Sequence, residues 1–209
     1  TLTNVTINGN SASMGGGIYS TACDQSLTNV IISYNSGSYG AGIYYKQSDA
    51  NLSNVTINNN YGHGIHSHLG SNVNMINCIV SDNSAYGFSI PTTNPGGVPT
   101  IEYSNFYNNQ SGNFYNYSEL FGENVTTNTN GDNCDVYYNI SLAPLFCDAE
   151  NGDFTLSENS PCVGSGENET YMGALGVGCI EPAVYGCITI IACNYNQNAN
   201  TDDGSCTYA

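Results

Sequence analysis

The sequence predicts an all-β protein: a parallel β-helix (solenoid) followed by a small disulfide-rich module at the C-terminus. Three observations carry that reading. A six-residue motif recurs at offsets of 25, 25 and 23 residues. A glycine-containing strip follows each copy, and seven of the nine cysteines crowd into the final 76 residues.

The motif begins as Leu2-Thr-Asn-Val5-Thr-Ile7 and returns as Leu27-Thr-Asn-Val30-Ile-Ile32, Leu52-Ser-Asn-Val55-Thr-Ile57 and, more loosely, Met75-Ile-Asn-Cys78-Ile-Val80. Its companion strip reads Gly15-Gly-Gly17-Ile18-Tyr19, Gly40-Ala-Gly42-Ile43-Tyr44, Gly62-His-Gly64-Ile65-His66 and Tyr86-Gly87-Phe88-Ser89. Tyr103-Ser-Asn105-Phe106 reads as a fifth start, after which the pattern degrades. Apolar and polar residues alternate within each short segment, and Asn, Ser and Gly separate the segments, which is the punctuation of strands rather than helices. A leucine-rich repeat has a similar length, but the return segments here lack helical spacing and helix formers. Coils stacked about 4.8 Å apart would place Leu2, Leu27, Leu52 and Met75 in one internal row and Val5, Val30, Val55 and Cys78 in another. The column Asn4, Asn29, Asn54 and Asn77 is expected at a turn, with side-chain amides bonded between coils as in stacked amide ladders. The glycine columns are expected to supply positive φ at the corners. This architecture explains 32 Asn in 209 residues.

Composition excludes several activities. One Lys, no Arg and 17 acidic residues give a net charge of −16. Nucleic acids and anionic membrane surfaces both require clustered cations, so neither is an expected partner. No apolar run approaches the length of a membrane span. Most acidic residues lie after residue 100, so the coils are nearly neutral and the acidity belongs to the C-terminal part.

The repeats and the segments after them resemble right-handed parallel β-helix proteins of bacterial surfaces, related in fold to pectate lyases. Pro144-Leu-Phe-Cys-Asp148, Asn151-Gly-Asp-Phe-Thr-Leu156, Ser160-Pro-Cys162 and Met172-Gly-Ala-Leu-Gly176 resemble the closing segment of secreted members. The resulting division is 1–110 for the coils, 111–179 for the closing segment with long loops, and 180–209 for the Cys-rich module. That module, from Gly186-Cys187 through Ala192-Cys-Asn-Tyr-Asn196 to Asp202-Asp-Gly-Ser-Cys206, resembles a short motif repeated near the C-termini of secreted and surface proteins. It is also similar to acidic calcium loops of the thrombospondin type-3 kind.

Cysteine density of this kind suits an oxidising compartment, hence an extracellular or cell-surface location. With Cys78 placed as a small buried hydrophobe, eight cysteines remain for four bridges, and Cys193 with Cys206 is the first expected pair. Hard oxygen donors on a tight Gly-containing turn suit Ca²⁺. Asp202 and Asp203 are the candidate carboxylate ligands, with Asn196, Asn198 and Asn200 as amide donors. His63, His66 and His68 form the one titratable cluster. On a strand, His66 and His68 face the same way, so a transition-metal site is geometrically open to them. Eight N-x-[ST] sequons occur, of which Asn109, Asn116 and Asn124 lie in a loop-like stretch and are the candidate glycosylation sites.

A catalytic reading is disfavoured. The resemblance implies that uronate lyases use an Arg or Lys at the reacting carbon. Here Lys46 stands alone, in the loop after the second coil, and the chain's charge repels anionic polysaccharide. Hydrolysis needs two carboxylates at a set separation, whereas Asp24, Asp49, Asp82 and Glu102 are read as occupying dissimilar repeat positions. Because Leu2 already occupies an internal row, the first coil needs cover, from residues upstream or from another molecule. The expected function is therefore a non-enzymatic extracellular structural protein, a subunit or segment of a surface fibre or adhesive appendage that assembles end to end with itself or with neighbouring surface subunits. The alternatives are a carbohydrate-binding surface protein that stacks sugars on Tyr19, Tyr44, Tyr45 and Tyr61, or a polysaccharide-active β-helix enzyme.

Overall fold

Each copy of the repeat is too short to bury its own apolar residues, so successive copies stack and share one core. The structure, a computed structural model, describes residues 1–116, 121–180, 185–197, 199 and 201–208. It divides into two compact units, Thr1–Cys179 and Ile180–Ala209.

Coil 1 contributes β1 (Leu2–Asn8) and β2 (Ile18–Thr21), coil 2 contributes β3 (Gln25–Ser33) and β4 (Ile43–Lys46), and coil 3 contributes β5 (Ala50–Asn58) and β6 (Ile65–His68). In coil 4 the long strand divides into β7 (Val73–Ile76) and β8 (Ile79–Ser81), followed by β9 (Tyr86–Ser89). Coil 5 repeats that division as β10 (Thr100–Glu102), β11 (Asn105–Tyr107) and β12 (Gly112–Tyr115). The named strands of successive coils pair in parallel. Leu2, Leu27, Leu52 and Met75 are aligned, as are Val5, Val30 and Val55. The inner rows Leu27, Val30, Ile32, Ile43, Leu52, Val55, Ile57 and Ile65 form one continuous buried core. Cys78 is buried in it, and burial pushes its thiol up to about 12, so it behaves as a small hydrophobe.

The fifth coil corrects the expected frame by two residues. Ile101 aligns with Met75 and Asn105 with Ile79, which puts Tyr103, not Asn105, opposite Asn77. The fifth copy is complete in this frame, and Tyr103 stands where the other coils carry Asn.

The corner column behaves as expected in its backbone: Asn4, Asn29, Asn54 and Asn77 have φ of 55°, 54°, 53° and 53°, a region Asn tolerates better than other non-glycine residues. Its side chains form only one rung of a ladder, from Asn29 Nδ2 to Asn4 Oδ1 at 3.1 Å. Further along, Asn54 donates to the Tyr171 and Gly173 carbonyls, and Asn77 Oδ1 accepts the Glu167 N–H. The continuous ladder lies elsewhere, inside the stack. Asn10, Asn35, Asn60 and Asn83 each send a backbone N–H and a side-chain Nδ2 to the Oδ1 of the next coil's Asn, ending on Asn109, at 2.9 to 3.2 Å. Nδ2 of Asn35, Asn60, Asn83 and Asn109 also reaches back to the carbonyls of Ile7, Ile32, Ile57 and Val80. Each amide thus satisfies backbone groups that the turn after the strand leaves unpaired.

Two glycine roles separate here. Gly15 and Gly40 have positive φ, as expected, whereas Gly17, Gly42, Gly64 and Gly87 do not. Those four are stacked so closely that a Cβ on one would meet the next coil's backbone or the Asn ladder.

The closing segment does not simply continue the stack. Residues 137–142 first lie along coil 5, where Ile140 bridges Asn105 and Asn139 Nδ2 bonds the Ile101 carbonyl. Phe121 stacks on Phe114 at 5.6 Å and meets Tyr137 at 4.9 Å with the rings tilted by 36°. Ahead of residues 137–142, β13 (Thr126–Thr127) pairs with β14 (Asn133–Cys134), and after them comes a small sheet of β15 (Phe146–Asp148), β16 (Asp153–Ser157) and β17 (Val177–Cys179). This part runs back along the outer face of the main sheet as a strap. The Gly173 N–H donates to the Asn77 carbonyl at 2.7 Å, the Ala174 N–H to Thr56 Oγ1 at 2.9 Å, and Tyr34 Oη to the Ala149 carbonyl at 2.9 Å. Outward-facing Ile31 and Ile79 are buried under it, with Phe154, Leu156 and Met172. A disulfide, Cys147–Cys179, closes the strap sheet.

The second unit contains β18 (Tyr185–Gly186) paired parallel with β19 (Thr201–Asp202). Its disulfide corrects the expected pair: Cys206 bonds Cys187, and Cys193 is an exposed free thiol. The pairing of β18 with β19 brings the Cys187 and Cys206 Cα atoms to 4.8 Å, within disulfide reach, while the Cys193 N–H is tied to the Thr207 carbonyl. Two bridges form rather than four, since Cys134 and Cys162 are buried thiols of the strap core and Cys23 is exposed.

Candidate functional site

In the second sheet Ile18, Ile43, Ile65 and Phe88 face the core in register, so their neighbours Tyr19, Tyr44, His66 and Ser89 form an outward column. The Tyr19 and Tyr44 rings stack at 5.4 Å and 4°, and Tyr44 and His66 at 5.2 Å and 11°. His63, from the preceding turn, stacks on both His66 at 5.6 Å and Tyr86 at 5.8 Å. The sequence-predicted strand and facing of His66 and His68 are present, but the rings are arranged as an aromatic ridge. Each Nδ1 is engaged within the protein: His63 accepts the Tyr86 N–H, His66 meets Ser89 Oγ at 3.3 Å, and His68 meets Tyr44 Oη at 2.7 Å. Among the described residues no group of three or more His, Cys, Asp and Glu stands close enough to hold a metal ion.

Burial lowers all three histidines, His66 to about 4 with the other two histidines adding to the effect, and Lys46 further lowers His68. The ridge is therefore uncharged at neutral pH. An unfolded imidazole titrates near 6.5, so between that value and about 4 the unfolded chain takes up a proton at His66 that the folded one refuses. Stability is full above pH 6.5 and falls as the pH drops toward 4. The expected loss from pH 7 to 4.5 is about 2–3 kcal/mol. His66→Tyr, which copies Tyr19 and Tyr44, is expected to remove that portion of the acid loss. Urea denaturation of both proteins at the two pH values measures it.

Other predicted residues are placed differently from expectation. Lys46 is the last residue of β4, aligned between Thr21 and His68, not in a loop. Asp24 and Asp49 do share a repeat position. Asp24 Oδ1 accepts the Asp49 N–H, and Asp49 Oδ1 accepts the Asn72 N–H and Nδ2 at 2.9 Å, so these carboxylates are bonded along the stack as side-chain acceptors. Of the proposed sugar-stacking tyrosines, Tyr45 points into the core and is buried, and Tyr44 is covered by its stacking neighbours, while Tyr19 and Tyr61 are exposed. Asn109 is not free for a glycan: it is buried and its Nδ2 bonds both the Val80 carbonyl and Asn113 Oδ1. Asn116 and Asn124 are exposed.

In the C-terminal unit, Asp202 Oδ1 accepts the Gly204 N–H at 3.0 Å and Asp203 Oδ1 the Ser205 N–H at 2.9 Å, and the Ser205 hydroxyl, followed by that N–H, holds the Asp203 carboxyl below its ordinary range. The Asn196 N–H donates to the Cys187 carbonyl. Asn198 and Asn200 lie outside the described residues.

Parallel coils with in-register apolar rows, an internal amide ladder and an outer aromatic ridge define a β-solenoid. A family model described as a right-handed β-helix region matches residues 1–160, and the chain belongs to that family. No curated protein and no solved structure matches it. The fold serves enzymes, binding proteins and scaffolds alike, so function must be argued from sites.

Proposed function

We propose that this chain is a non-catalytic structural segment of an extracellular surface fibre or adhesive appendage, joined to its neighbour through the 180–209 module. The observation that carries this reading is the apolar surface of that module, where Ile188, Ile190 and Ile191 are exposed, the last two by 77% and 80%, as at interaction sites. The coils themselves are engaged internally: the Asp24 and Asp49 carboxylates accept N–H groups of the following coil, and His63, His66 and His68 are held in the aromatic ridge. The disulfides suit an oxidising, extracellular setting, and among the described residues no helix is long and apolar enough to cross a membrane.

Sedimentation tests this joint. The chain is expected to self-associate as its concentration rises, and the doubly substituted Ile190→Lys, Ile191→Lys protein to remain monomeric because the apolar surface is then charged. Association that persists unchanged in the variant would contradict the assignment to the module.

A further inference from the structure

The corner column changes chemistry at its far end. Asn4, Asn29, Asn54 and Asn77 are succeeded by Tyr103, and the Asn105–Ile140 bridge places Tyr138 next in line. Both tyrosines keep the left-handed backbone, with φ of 47° and 62°. That conformation suits Asn and is a true outlier for a bulky residue. Burial does not compensate for it, since Tyr138 is 41% exposed and Tyr103 is partly exposed. Their rings stack at 5.1 Å and 6° and line a 340 Å³ cavity with Thr127, Asn128, Ser165 and Glu169. Small-molecule sites span about 300–1,000 Å³, and backbone outliers cluster where ligands are held.

We propose that this cavity binds a neutral saccharide unit, with the Tyr103–Tyr138 pair as its stacking platform. A tyrosine face offers an apolar, π-rich surface to the C–H side of a sugar ring while its hydroxyl stays polar. The rim supplies hydrogen-bonding groups suited to hydroxyls. Ser165 Oγ already accepts the Nδ2 groups of Asn128 and Asn130 at 2.9 Å each, so its O–H remains as the donor. The Glu169 carboxylate and the Thr127 hydroxyl add an acceptor and a donor–acceptor. Charge selects against acidic sugars: Glu102 and Glu167 stand near Tyr103, Glu169 lines the cavity, and the chain's one lysine is in β4 on the other sheet.

The test is saturation-transfer NMR and calorimetric titration of the full chain with cellobiose, maltose, chitobiose and galactobiose, and with digalacturonate as the anionic counterpart. At least one neutral disaccharide is expected to bind in the millimolar range or tighter, with digalacturonate silent. Tyr138→Asn, which restores the residue the corner favours, is expected to weaken binding at least about tenfold without lowering Tm. Three results would each overturn the proposal: no neutral disaccharide binding up to about 10 mM, equal binding by the variant, or a variant melting well below the parent, which would show that the rings are retained for packing.

Discussion

Asn60→Ala is expected to destabilise the coil stack by about 3–5 kcal/mol, a large part of what holds a domain folded. Asn60 is the middle rung of the internal ladder. Its Oδ1 accepts both the backbone N–H and Nδ2 of Asn35, at 2.9 and 3.1 Å. Its Nδ2 donates to the Ile32 and Asn58 carbonyls and to Asn83 Oδ1, at 3.0, 3.2 and 2.9 Å. Alanine removes all of these in a site that is 1% exposed, where water cannot replace them. Each buried group left unsatisfied costs about 1–3 kcal/mol. Asn4→Ala is the control. That residue has the same kind of spacing in the repeat but is exposed, makes one rung, and should cost about 1 kcal/mol for placing alanine at positive φ. Chemical denaturation of the two variants compares the columns directly. Equal losses would show that the internal ladder has no special weight.

Gly42→Ala should cost about 3 kcal/mol or more, at the upper end of overpacking effects. The Gly42 backbone needs no left-handed freedom, so the penalty is purely one of approach. An added Cβ would collide with the Gly64 carbonyl oxygen and lie 3.0 Å from Ile57 Cγ2. That carbonyl cannot retreat, because it accepts the Ile43 N–H at 2.9 Å and so sets the spacing of coils 2 and 3. Gly9→Ala separates approach from conformation: Gly9 has φ of 66° and open space around it, so about 1 kcal/mol of backbone strain is all that is expected. Thermal denaturation in which Gly42→Ala costs no more than Gly9→Ala would reject the close-approach account.

The coil architecture was legible because a period of about 25 residues with alternating apolar positions admits few folds, and Leu2, Leu27, Leu52 and Met75 are aligned as the repeat implies. The internal ladder was equally periodic, with Asn10, Asn35, Asn60, Asn83 and Asn109 at offsets of 25, 25, 23 and 26. It was missed because Asn is favoured both at exposed corners and at buried turns, so periodicity alone does not tell the two columns apart. Asn109 was misjudged for the same reason: a sequon and a ladder rung look alike in sequence. The fifth coil was misframed because Tyr103 replaced the Asn that marks the corner, which hid its alignment with Asn77 and with it the platform it forms with Tyr138. Cysteine pairing depended on contacts between β18 and β19 that no spacing rule contains. The Asp24–Asp49 match, by contrast, was available from the 25-residue offset and needed only consistent alignment.

The scaffold account depends on association through the 180–209 module, and amide hydrogen exchange of that module as a function of protein concentration tests this most directly. In dilute solution, the amides of the exposed stretch 188–191 should exchange fast, while β3 amides, paired on both sides, stay protected. As concentration rises, protection of the 188–191 amides should climb toward that of β3. Rapid exchange along that stretch at every concentration, with β3 protected throughout, would contradict the account.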